Sequence, residues 1–306
     1  MQPKVAIIIV NWNGKADTLE CLASLQEDTY AGKQIIVVDN GSADDSVSVI
    51  RASYPDITVL ETGTNLGFTG GNNVGIDFAL GIGADYLYLL NNDTTVEPDA
   101  LQALVDTAEA NPGFGLVTPV IHYFDQPDEV WFAGSQIDLS RGVAVHDNSH
   151  IPFQADAPLE IPWASGCAML IRADVMRQLG GFDDRYFLNW EDVDLCLRVR
   201  AMGSSIGLVP AARIYHKVSR SFARASGISC YYHVRNNLLL VSLYSGEAAR
   251  QAVKYVIATR LREGLRNIKD GRAASGKNLI FIIRAIHHHK CRRYGFLSLG
   301  PGRELL

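Results

Sequence analysis

The chain has 306 residues, 47% of them hydrophobic and 20% charged, with a formal net charge of −5 at pH 7, so we expect a soluble globular protein with one large α/β domain, alone or with an appendage. The sequence starts without a secretory leader pattern, and no apolar run reaches the roughly 20 residues that cross a bilayer, which argues for a cytoplasmic protein. The five cysteines form no C-x-x-C pair, which favours a reducing compartment and disfavours a structural zinc site.

The first 118 residues alternate predicted strands with predicted helices. Apolar, often β-branched runs predict strands at Val5–Val10, Gln34–Val38, Thr58–Leu60 and Tyr86–Leu90. Amphipathic periodicity predicts helices at Lys15–Glu27, Ala43–Ser53, Asn72–Leu80 and Asp99–Glu109, with Pro98 at the start of the last one. Strands and helices that alternate through short connections predict a parallel, doubly wound sheet.

The pattern loosens after this point. We expect loops and short strands over 120–160, then a strand pair within Pro162–Ile171. The segment Ser219–Ile228 is small and polar, and we expect it to be mobile. The remaining apolar periodicity predicts helices at Asp174–Leu179, Asp192–Met202, Tyr231–Tyr244, Gly246–Asn267 and Leu279–His287.

Polar clusters follow three of the predicted strands: Asn11-Trp12-Asn13, Asp39-Asn40-Gly41-Ser42 and Asn91-Asn92-Asp93. Ligands of doubly wound sheets bind outside the carboxyl ends of the strands, so these clusters indicate a site. The turn after the first strand lacks the G-x-G-x-x-G fingerprint, and no Walker loop is present. Dinucleotide oxidoreductases and P-loop NTPases are therefore disfavoured.

Asp93 is the first candidate for a metal ligand. A diphosphate without a glycine-rich loop can be neutralised by a divalent cation, and Mg²⁺ or Mn²⁺ often takes one or two carboxylates together with phosphate oxygens and water. Asn92 would offer a neutral amide to a sugar hydroxyl. Taken alone, Asn91-Asn92-Asp93 is also compatible with a turn or an Asx cap.

Five motifs in order resemble those of family 2 glycosyltransferases, which are inverting enzymes with the GT-A fold. They are VNWNG at 10–14, VVDNGSADDS at 37–46, NLGFTGGNNVG at 65–75, LLNNDT at 89–94 and NWEDVDLCLRVRAMG at 189–203. The resemblance covers about 4–240 and is closest to bacterial rhamnosyltransferase-like members that build cell-surface polysaccharide. It implies an α/β fold with a Rossmann-like, mostly parallel sheet flanked by helices.

The resemblance also implies a domain organisation. A catalytic domain would span 1–245, with a nucleotide-sugar-binding half to about 118 and an acceptor and catalytic half over 119–245. A basic helical extension would follow over 246–306.

The implied donor site begins with Asp39, which would pair with a pyrimidine base, since a carboxylate accepts the imide N–H that uracil and thymine have and cytosine lacks. The other residues that the resemblance assigns to nucleotide-sugar binding are Asn11, Trp12, Asn65, Gly67, Gly71, Asn92, Trp190 and Arg235. Asn11 and Trp12 would line the base. Asn65 and the two glycines would approach the diphosphate, as would Arg235.

Each of these assignments has a structural alternative. Asp39 could form an Asx turn, and Trp12 could belong to the core. The glycine-containing loop could be a plain helix entry with Asn72 as its cap, and Arg235 could form an ion pair on a helix surface. The D-x-D element of the family departs here from its pattern, because amides stand at Asn91 and Asn92, which puts the ribose contact in doubt.

The resemblance assigns Asp93 and His216 to the metal, which would be Mg²⁺ or Mn²⁺, and Asp192 to the general base. Glu191 would contact the acceptor or support the base. Inversion by a single displacement needs one base for the acceptor hydroxyl, and Trp190 would desolvate it in part. The alternative is that Glu191 and Asp192 only complement the dipole of the helix that they begin.

Two further features are assigned to structure rather than to chemistry. Asp194 is expected to be structural or dipole-related. The run His287-His288-His289 precedes Lys290 and Arg292-Arg293, and we expect it to belong to a solvated basic surface rather than to a metal site.

The C-terminal segment differs in charge from the rest of the chain. Residues 246–306 carry 13 Lys and Arg against four Asp and Glu, a formal charge of +9, whereas 1–245 carry −14. Basic residues interleaved with apolar ones are typical of helices on an anionic membrane surface, so we expect peripheral contact with the inner face of the plasma membrane. Packing on the catalytic domain and a homodimer contact are the alternatives. No aromatic-basic module for nucleic acid is recognisable.

The sequence therefore predicts transfer of a sugar, rhamnose being plausible, from a dTDP- or UDP-sugar to a glycan or polyprenyl-linked acceptor. One alternative is a sugar-phosphate nucleotidyltransferase, although VNWNGKAD supplies only one Gly and one Lys for its basic signature loop. The other is a non-catalytic glycan-assembly subunit, which the amides at 91 and 92 keep open.

Overall fold

The computed structural model describes residues 2–148, 157–218, 226–270 and 275–297. Its strands are β1 (Val5–Asn11), β2 (Lys33–Asp39), β3 (Thr58–Glu61), β4 (Tyr86–Asn91), β5 (Thr94–Val96), β6 (Phe114–Tyr123), β7 (Val130–Phe132), β8 (Ser135–Asp138), β9 (Val143–His146), β10 (Leu159–Glu160), β11 (Ala168–Arg172) and β12 (Ser205–His216). Its helices are α1 (Lys15–Glu27), α2 (Ser46–Ser53), α3 (Gly67–Gly81), α4 (Ala100–Ala110), α5 (Ala173–Leu179), α6 (Glu191–Ala201), α7 (Ser226–Tyr244), α8 (Ala249–Lys269) and α9 (Ser275–Lys290), with a 3₁₀ turn at Gly246–Ala248.

A central sheet runs in the order β3-β2-β1-β4-β11-β6-β12-β10. Strands β1 to β4 pair in parallel, and β6 and β12 also pair in parallel. β11 is antiparallel to both of its neighbours, and β10 is antiparallel to β12. β5 pairs with β12, and β7 pairs with β6, both antiparallel. β8 and β9 form a separate hairpin. The predicted α/β fold, with a large central sheet flanked by helices, is confirmed, and the sheet is mixed.

The middle of this sheet is covered on both faces. Ile7, Ile8 and Ile9 of β1 are fully buried, as a continuous apolar strand in a parallel sheet requires. Helix α3 lies close against the sheet because it carries glycine at the contact: a Cβ on Gly75 would lie 2.4 Å from Ile8 Cγ2. The strand ends that carry the polar clusters are thereby held on a rigid support.

The predicted elements of the first half are confirmed to within a few residues, and α1 matches its predicted bounds. Helix α3 is the exception, because it begins five residues before the predicted start at Asn72. In the second half, the short strands β7, β8, β9 and β10 lie within 120–160, where loops and short strands were expected. The long strands β6 and β12 were not predicted, and the expected strand pair within Pro162–Ile171 was wrong, because only one strand, β11, begins there. Of the segment expected to be mobile, 219–225 lie outside the described residues, and 226–228 begin α7.

The three C-terminal helices share a hydrophobic cluster of their own. Tyr231, Leu238 and Val241 of α7 pack there with Val256 of α8 and Ile282 of α9. The cluster thus includes residues on both sides of the expected boundary at 245, and that boundary stays a prediction. Within the described ranges, no helix is long and apolar enough to span a membrane.

Candidate functional site

One hydrogen-bond network joins the carboxyl ends of β1, β2 and β4. The parallel register sets Asn11 opposite Asp39 and Val10 opposite Asn91. Asn92 Nδ2 donates to Thr18 Oγ1 at 3.0 Å, and Thr18 Oγ1 donates to Asn11 Oδ1 at 2.8 Å. All three predicted polar clusters therefore meet at one edge of the sheet.

The Asp39 carboxylate is held from two sides. Asn11 Nδ2 donates to Oδ1 at 2.9 Å, and the backbone N–H of Ser42 donates to Oδ2 at 3.0 Å. The second bond is the Asx turn that was the structural alternative. It does not exclude the ligand role, because each carboxylate oxygen can accept more than one bond. Asp39 is thus oriented and retains acceptor capacity.

The two neighbours expected to line the base have different environments. Asn11 is fully buried, and its side-chain amide binds Asp39, Ser42 and Thr18, so it orients Asp39 from behind rather than lining the base as predicted. Trp12 is 37% exposed beside the same strand end, which excludes the core alternative for this side chain. Trp12 is available to a ligand at this edge.

The loop before α3 is built on glycine and asparagine. Asn65 Oδ1 accepts from Gly67 N at 2.8 Å and from Asn40 Nδ2 at 3.2 Å. Gly67 has φ +76°, and a Cβ there would lie 2.5 Å from the carbonyl oxygen of Phe187. Asn65 and Gly67 therefore shape the loop at the site edge.

Gly71 does not lie in that loop, contrary to the prediction. It is buried within α3, and a Cβ there would lie 2.9 Å from Val10 Cγ1. The backbone N–H groups of Phe68 and Thr69, at the start of the helix, both donate to the carbonyl of Phe187. The helix start thus binds protein, and Gly71 serves the packing of α3 on the sheet.

Asp93 and His216 are brought together by strand pairing. β5 follows Asp93 directly and pairs with the end of β12, which sets His216 opposite Thr94. His216 Nε2 lies 3.1 Å from Asp93 Oδ1, and the side chain of His216 is 7% exposed. The two residues predicted as metal ligands, far apart in sequence, are neighbours in the fold.

Their arrangement fits a divalent cation as a partial set of ligands. Within the part of the chain that the structure describes, no three His, Cys, Asp or Glu side chains form a cluster that could hold a metal by themselves. His216 Nδ1 is buried there without a hydrogen-bond partner, so Nε2 is the atom committed to Asp93. An oxygen and a nitrogen ligand, completed by phosphate oxygens and water, suit Mn²⁺ better than Mg²⁺, because Mg²⁺ prefers oxygen ligands.

The protonation of His216 depends on its neighbours. Burial lowers the pKa of His216, but the Cys167 thiol and the Asp93 carboxylate raise it, and the net effect is a pKa above the usual value. Burial also raises the pKa of Cys167 and keeps this thiol neutral, so we assign the effect on His216 to Asp93. The Asp93 carboxylate, 3.1 Å from Nε2, thus favours the protonated form of His216.

An aromatic group that the sequence analysis missed surrounds His216. The Trp131 ring packs edge-on against His216 and against His146, with centroid distances of 4.6 Å in both contacts. Trp163 lies 5.6 Å from His146. The scattered aromatic residues of 120–160 were visible in the sequence, but only the hairpin β8–β9 and the β6–β7 pair bring them to one place.

Asp192 stands in the first turn of α6 with its carboxylate bound by backbone. The N–H of Gly166 donates to Oδ2 at 3.0 Å, and the N–H of Val193 donates to Oδ1 at 2.8 Å. Burial raises the pKa of Asp192 above its usual range, and these backbone hydrogen bonds oppose the shift. The result is a carboxylate with increased basicity that is held in one orientation.

Glu191 differs from its neighbour. It is buried, its Oε2 has no hydrogen-bond partner among the described residues, and burial together with the charge of Asp192 raises its pKa well above the usual range. Glu191 is therefore protonated when Asp192 is ionised, and it can support a hydroxyl next to the base by donating a proton in a hydrogen bond.

A single loop connects the base to the metal candidates. Cys167 O accepts the backbone N–H of Asn91 at 2.9 Å, two residues before Asp93, and Gly166 N binds Asp192. This loop was not predicted from the sequence, although its Ser-Gly dipeptide, 165–166, is a recognised signal for irregular backbone. Gly166 and Cys167 set the position of Asp192 relative to the end of β4.

Arg235 does not reach the donor edge, contrary to the prediction. Its side chain is 1% exposed, and its guanidinium donates to the carbonyls of Arg185, Tyr186 and Gly295. It is not the surface ion pair of the alternative either. The adjacent Asn236 binds the carbonyls of Tyr186, Leu188 and Asn189 through Nδ2.

These bonds hold a strained backbone segment in front of the base. Phe187, Asn189 and Trp190 have φ values of 66°, 68° and 74°. Left-handed backbone costs about 1–2 kcal/mol for each such residue, so the segment needs the surrounding bonds to persist. Arg235 and Asn236 are positioning residues for the start of α6.

Trp190 is buried at that helix start and faces His233, at a ring-centroid distance of 5.2 Å, rather than the donor edge. Asp194 is structural, as expected: it accepts from Arg198 Nε at 2.8 Å and from the hydroxyls of Tyr186 and Tyr244. The histidine run is only partly a solvated surface, because His288 and His289 pair with the hydroxyls of Tyr231 and Tyr294.

The sequence matches a known family over most of this site. Residues 6–180, more than half of the chain, match glycosyl transferase family 2. The N-acetylglucosaminyl-diphospho-decaprenol L-rhamnosyltransferase of Mycobacterium tuberculosis is 29% identical over 270 residues, which are 80% of this chain and 87% of the relative. The dTDP-rhamnosyl transferase RfbF of Shigella flexneri is 20% identical over 251 residues, which are 79% of this chain and 81% of the relative.

Solved structures agree on the fold. The crystal structure of GalNAc-T7 with UDP, GalNAc and Mn²⁺ superposes with a TM-score of 0.69 at 15% identity, over 96% of this chain. This chain spans only 58% of that structure. The family match decides against a nucleotidyltransferase and a non-catalytic assembly subunit. The chain belongs to glycosyl transferase family 2 and is a glycosyltransferase with the GT-A fold.

Proposed function

We propose that this enzyme transfers a sugar with inversion from a dTDP- or UDP-sugar to a glycan or polyprenyl-linked acceptor in cell-surface polysaccharide synthesis. The donor lies across Asp39 and the Asp93–His216 pair, and Asp192 acts as the general base. The observation that carries the proposal is the chain of contacts from Asp39 through the end of β4 and the Gly166–Cys167 loop to Asp192.

Asp39 supports the choice of a pyrimidine nucleotide. Its carboxylate is fixed by Asn11 and Ser42 and can still accept one more N–H. Uracil and thymine donate such an N–H from the imide, and cytosine does not. Trp12, exposed at the same strand end, offers a surface on which the base packs.

Asp93 and His216 support the use of Mg²⁺ or Mn²⁺. A bound cation would neutralise charge on the diphosphate that leaves with the nucleotide. Asp93 Oδ1 and His216 Nε2, now 3.1 Å apart, are the two atoms that would hold it, with His216 as the neutral imidazole. A single carboxylate from this loop is involved, because amides occupy positions 91 and 92.

Asp192 supports a single displacement. The acceptor hydroxyl oxygen attacks the anomeric carbon while the bond from that carbon to the diphosphate oxygen breaks. The hydroxyl proton passes to Asp192, and the nucleoside diphosphate leaves with the bonding electrons. A base of raised pKa takes this proton more readily than an ordinary carboxylate. Glu191, protonated beside it, orients the acceptor.

Rhamnose is the preferred donor sugar in this proposal. Two of the relatives are rhamnosyltransferases by name, and one of these names an acceptor in which a sugar is joined by diphosphate to decaprenol. The decaprenyl chain of such an acceptor anchors it in a membrane, and we place the enzyme at the cytoplasmic face of that membrane.

The test is a panel of nucleotide sugars with a diphosphate-linked acceptor, scored for release of the nucleoside diphosphate with and without Mg²⁺ or Mn²⁺. We expect turnover with dTDP- or UDP-sugars, and none with CDP-, GDP- or ADP-sugars. Selective turnover of a purine nucleotide sugar would contradict the role of Asp39, and cation-independent turnover would contradict that of the Asp93–His216 pair.

The C-terminal helices support membrane contact as part of this proposal. Gly264 of α8 packs against Leu279 and Ile282 of α9. The apolar residues beside this contact are between 43% and 66% exposed: Leu265, Ile268, Ile280 and Ile283. Exposed cations accompany them at Arg262, Arg266, Lys269 and Lys277. Apolar side chains among cations fit a surface of anionic lipid.

Co-sedimentation with vesicles of anionic and of neutral lipid tests this contact. Ile280→Ser with Ile283→Ser should weaken binding to anionic vesicles, and Leu243→Ser, an exposed apolar residue on α7, should not. If the double substitution leaves vesicle binding intact but turns a dimer into a monomer in light scattering, the face is a dimer contact and the membrane proposal is wrong.

A further inference from the structure

A cavity of about 330 Å³ lies between the β8–β9 hairpin and helix α8. Trp190 and His233 line it from the side of α6 and α7, and Arg141, Tyr255 and Arg260 line it from the hairpin and α8. None of these residues belongs to the donor edge. Trp190 stands two residues before Asp192, so the cavity opens next to the helix start that carries the proposed base.

Trp190 brings an unused hydrogen-bond donor to this cavity. Its side chain is 7% exposed, and its Nε1–H is buried with no acceptor in the described parts of the chain. A buried indole N–H normally has a partner, since leaving it without one costs free energy. An oxygen atom of a bound molecule would supply that partner.

Two arginines give the cavity a positive charge. Arg141 donates to the hydroxyl of Tyr255 rather than to a carboxylate. Arg260 Nη2 lies 3.1 Å from His233 Nε2, and its Nη1 lies 3.0 Å from Glu263, whose side chain is 49% exposed. Burial, and then the charge of Arg260, lower the pKa of His233 to about 4, so the imidazole is neutral near pH 7. Among the residues that line the cavity, two arginines thus stand against one carboxylate, that of Glu263; Asp138 lies near Arg141 but outside this lining.

The rim of the cavity is apolar. Val143, Val145 and Tyr255 are exposed there, although each is large and hydrophobic. A ligand that fits these surroundings has an anionic, oxygen-rich head and an apolar tail. Arginine is the side chain best suited to phosphate, because its planar donors bind two oxygens at once.

We propose that this cavity binds the diphosphate-bearing head of the acceptor, a saccharide joined through diphosphate to a lipid. Arg141 and Arg260 bind phosphate oxygens, Trp190 Nε1 donates to an oxygen of the same head, and the apolar rim meets the first part of the lipid chain. The saccharide then extends past Trp190 toward Asp192. This inference rests on the proposed function, since it names the subsite that holds its acceptor.

The experiment compares two synthetic acceptors in the full chain: N-acetylglucosamine joined by diphosphate to a short alkyl chain, and the same sugar with the alkyl chain on an ordinary glycosidic oxygen. Arg141→Gln and Arg260→Gln are tested beside Arg250→Gln, which removes an exposed cation of α8 outside the cavity. Transfer kinetics give the KM of each acceptor and of the donor. Calorimetry in the presence of UDP gives acceptor binding without turnover.

We expect each cavity substitution to raise the KM and the dissociation constant of the diphosphate acceptor about tenfold or more, as loss of a charge-assisted bond predicts. The donor KM, the values for the phosphate-free acceptor and all values of Arg250→Gln should stay within about twofold of the unsubstituted enzyme, as for a site without phosphate contact. Equal effects on both acceptors, or none on either, would overturn the inference. If no donor turns over, the proposed function fails, and the calorimetric comparison still decides whether the cavity binds the diphosphate.

Discussion

Replacement of Asp192 by Asn tests the proposed base with little change in volume. In the native chain both carboxylate oxygens accept a backbone N–H, from Gly166 and from Val193. An amide has one oxygen, so its NH₂ group must face one of these two donors. The substitution therefore removes the proton acceptor and one backbone hydrogen bond together.

Both effects have an expected size. A general base contributes about 10²–10⁴-fold to a rate, and we expect kcat to fall by that factor. One buried N–H left without an acceptor costs roughly 1–3 kcal/mol, and we expect the free energy of unfolding to fall by that amount. The affinity for UDP or dTDP should be unchanged, because Asp192 does not contact Asp39 directly.

The assay pairs transfer kinetics with thermal unfolding, and Asp194→Asn is the matched control. Asp194 lies two residues further on α6, is 1% exposed and forms an ion pair with Arg198. Breaking a buried pair costs about 3–5 kcal/mol, so this variant should lose more stability than Asp192→Asn. Below its melting range it should retain far more turnover per folded molecule.

The pH dependence gives a second readout. The base acts when deprotonated, so the rate falls as the pH drops through the pKa of Asp192, which burial raises above 3.8. The pH–rate profiles of the wild type and of Asp194→Asn should both have this acid limb. If Asp192→Asn keeps both the native kcat and the native acid limb, the base is another group and the reasoning from the Gly166 loop is wrong.

Three further predictions concern the other parts of the site. Asp39→Asn should lower the ratio of UDP to CDP affinity, measured by calorimetry, by about tenfold or more, because the amide can donate to cytosine N3; an unchanged ratio would remove the base contact. Asp93→Ala should abolish stimulation of turnover by Mg²⁺ or Mn²⁺ in a cation titration, and persistent stimulation would exclude it as a ligand. Arg235→Met removes the buried guanidinium hydrogen bonds to the carbonyls of Arg185, Tyr186 and Gly295, at roughly 1.5–3 kcal/mol for each bond to a charged group, so thermal unfolding should shift downward while the donor KM of the folded enzyme is unchanged; a raised donor KM with unchanged stability would support the predicted diphosphate contact.

The sequence predicts the donor half of the fold well, since its signals are local. Continuous apolar runs such as Val5–Val10 mark strands that are buried on both faces, and the residues that α1 buries, such as Cys21, Leu22 and Leu25, recur at helical spacing. The polar clusters after these strands then meet because parallel strands end at one edge of a sheet. Asp39 and Asn92 are therefore found in one network from local reasoning alone.

The second half resists prediction because its strands are defined by distant partners. In β12, apolar and polar residues do not alternate regularly, and the strand contains Pro210. Its pairing with β6 shifts register between Val209 and Arg213. Its pairing with β5 is what carries His216 to Asp93, about 120 residues away in sequence. No local periodicity in the sequence predicts that contact.

Individual roles fail for a related reason: a motif identifies a residue but not the direction of its side chain. Asn11, Gly71 and Arg235 all stand in motifs that the sequence analysis assigned to the donor. In the fold, Asn11 is buried under Asp39, Gly71 faces Val10, and Arg235 faces the carbonyls of 185–186. Each supports the site from behind rather than lining it.

The anomeric configuration of the product is the most direct test of the central claim, that Asp192 assists a single displacement at the donor. NMR of the purified product, made with a donor of known configuration, reports it without any variant. We expect a configuration opposite to that of the donor. Retention would require two displacements or a front-face path, and would contradict the role proposed for Asp192.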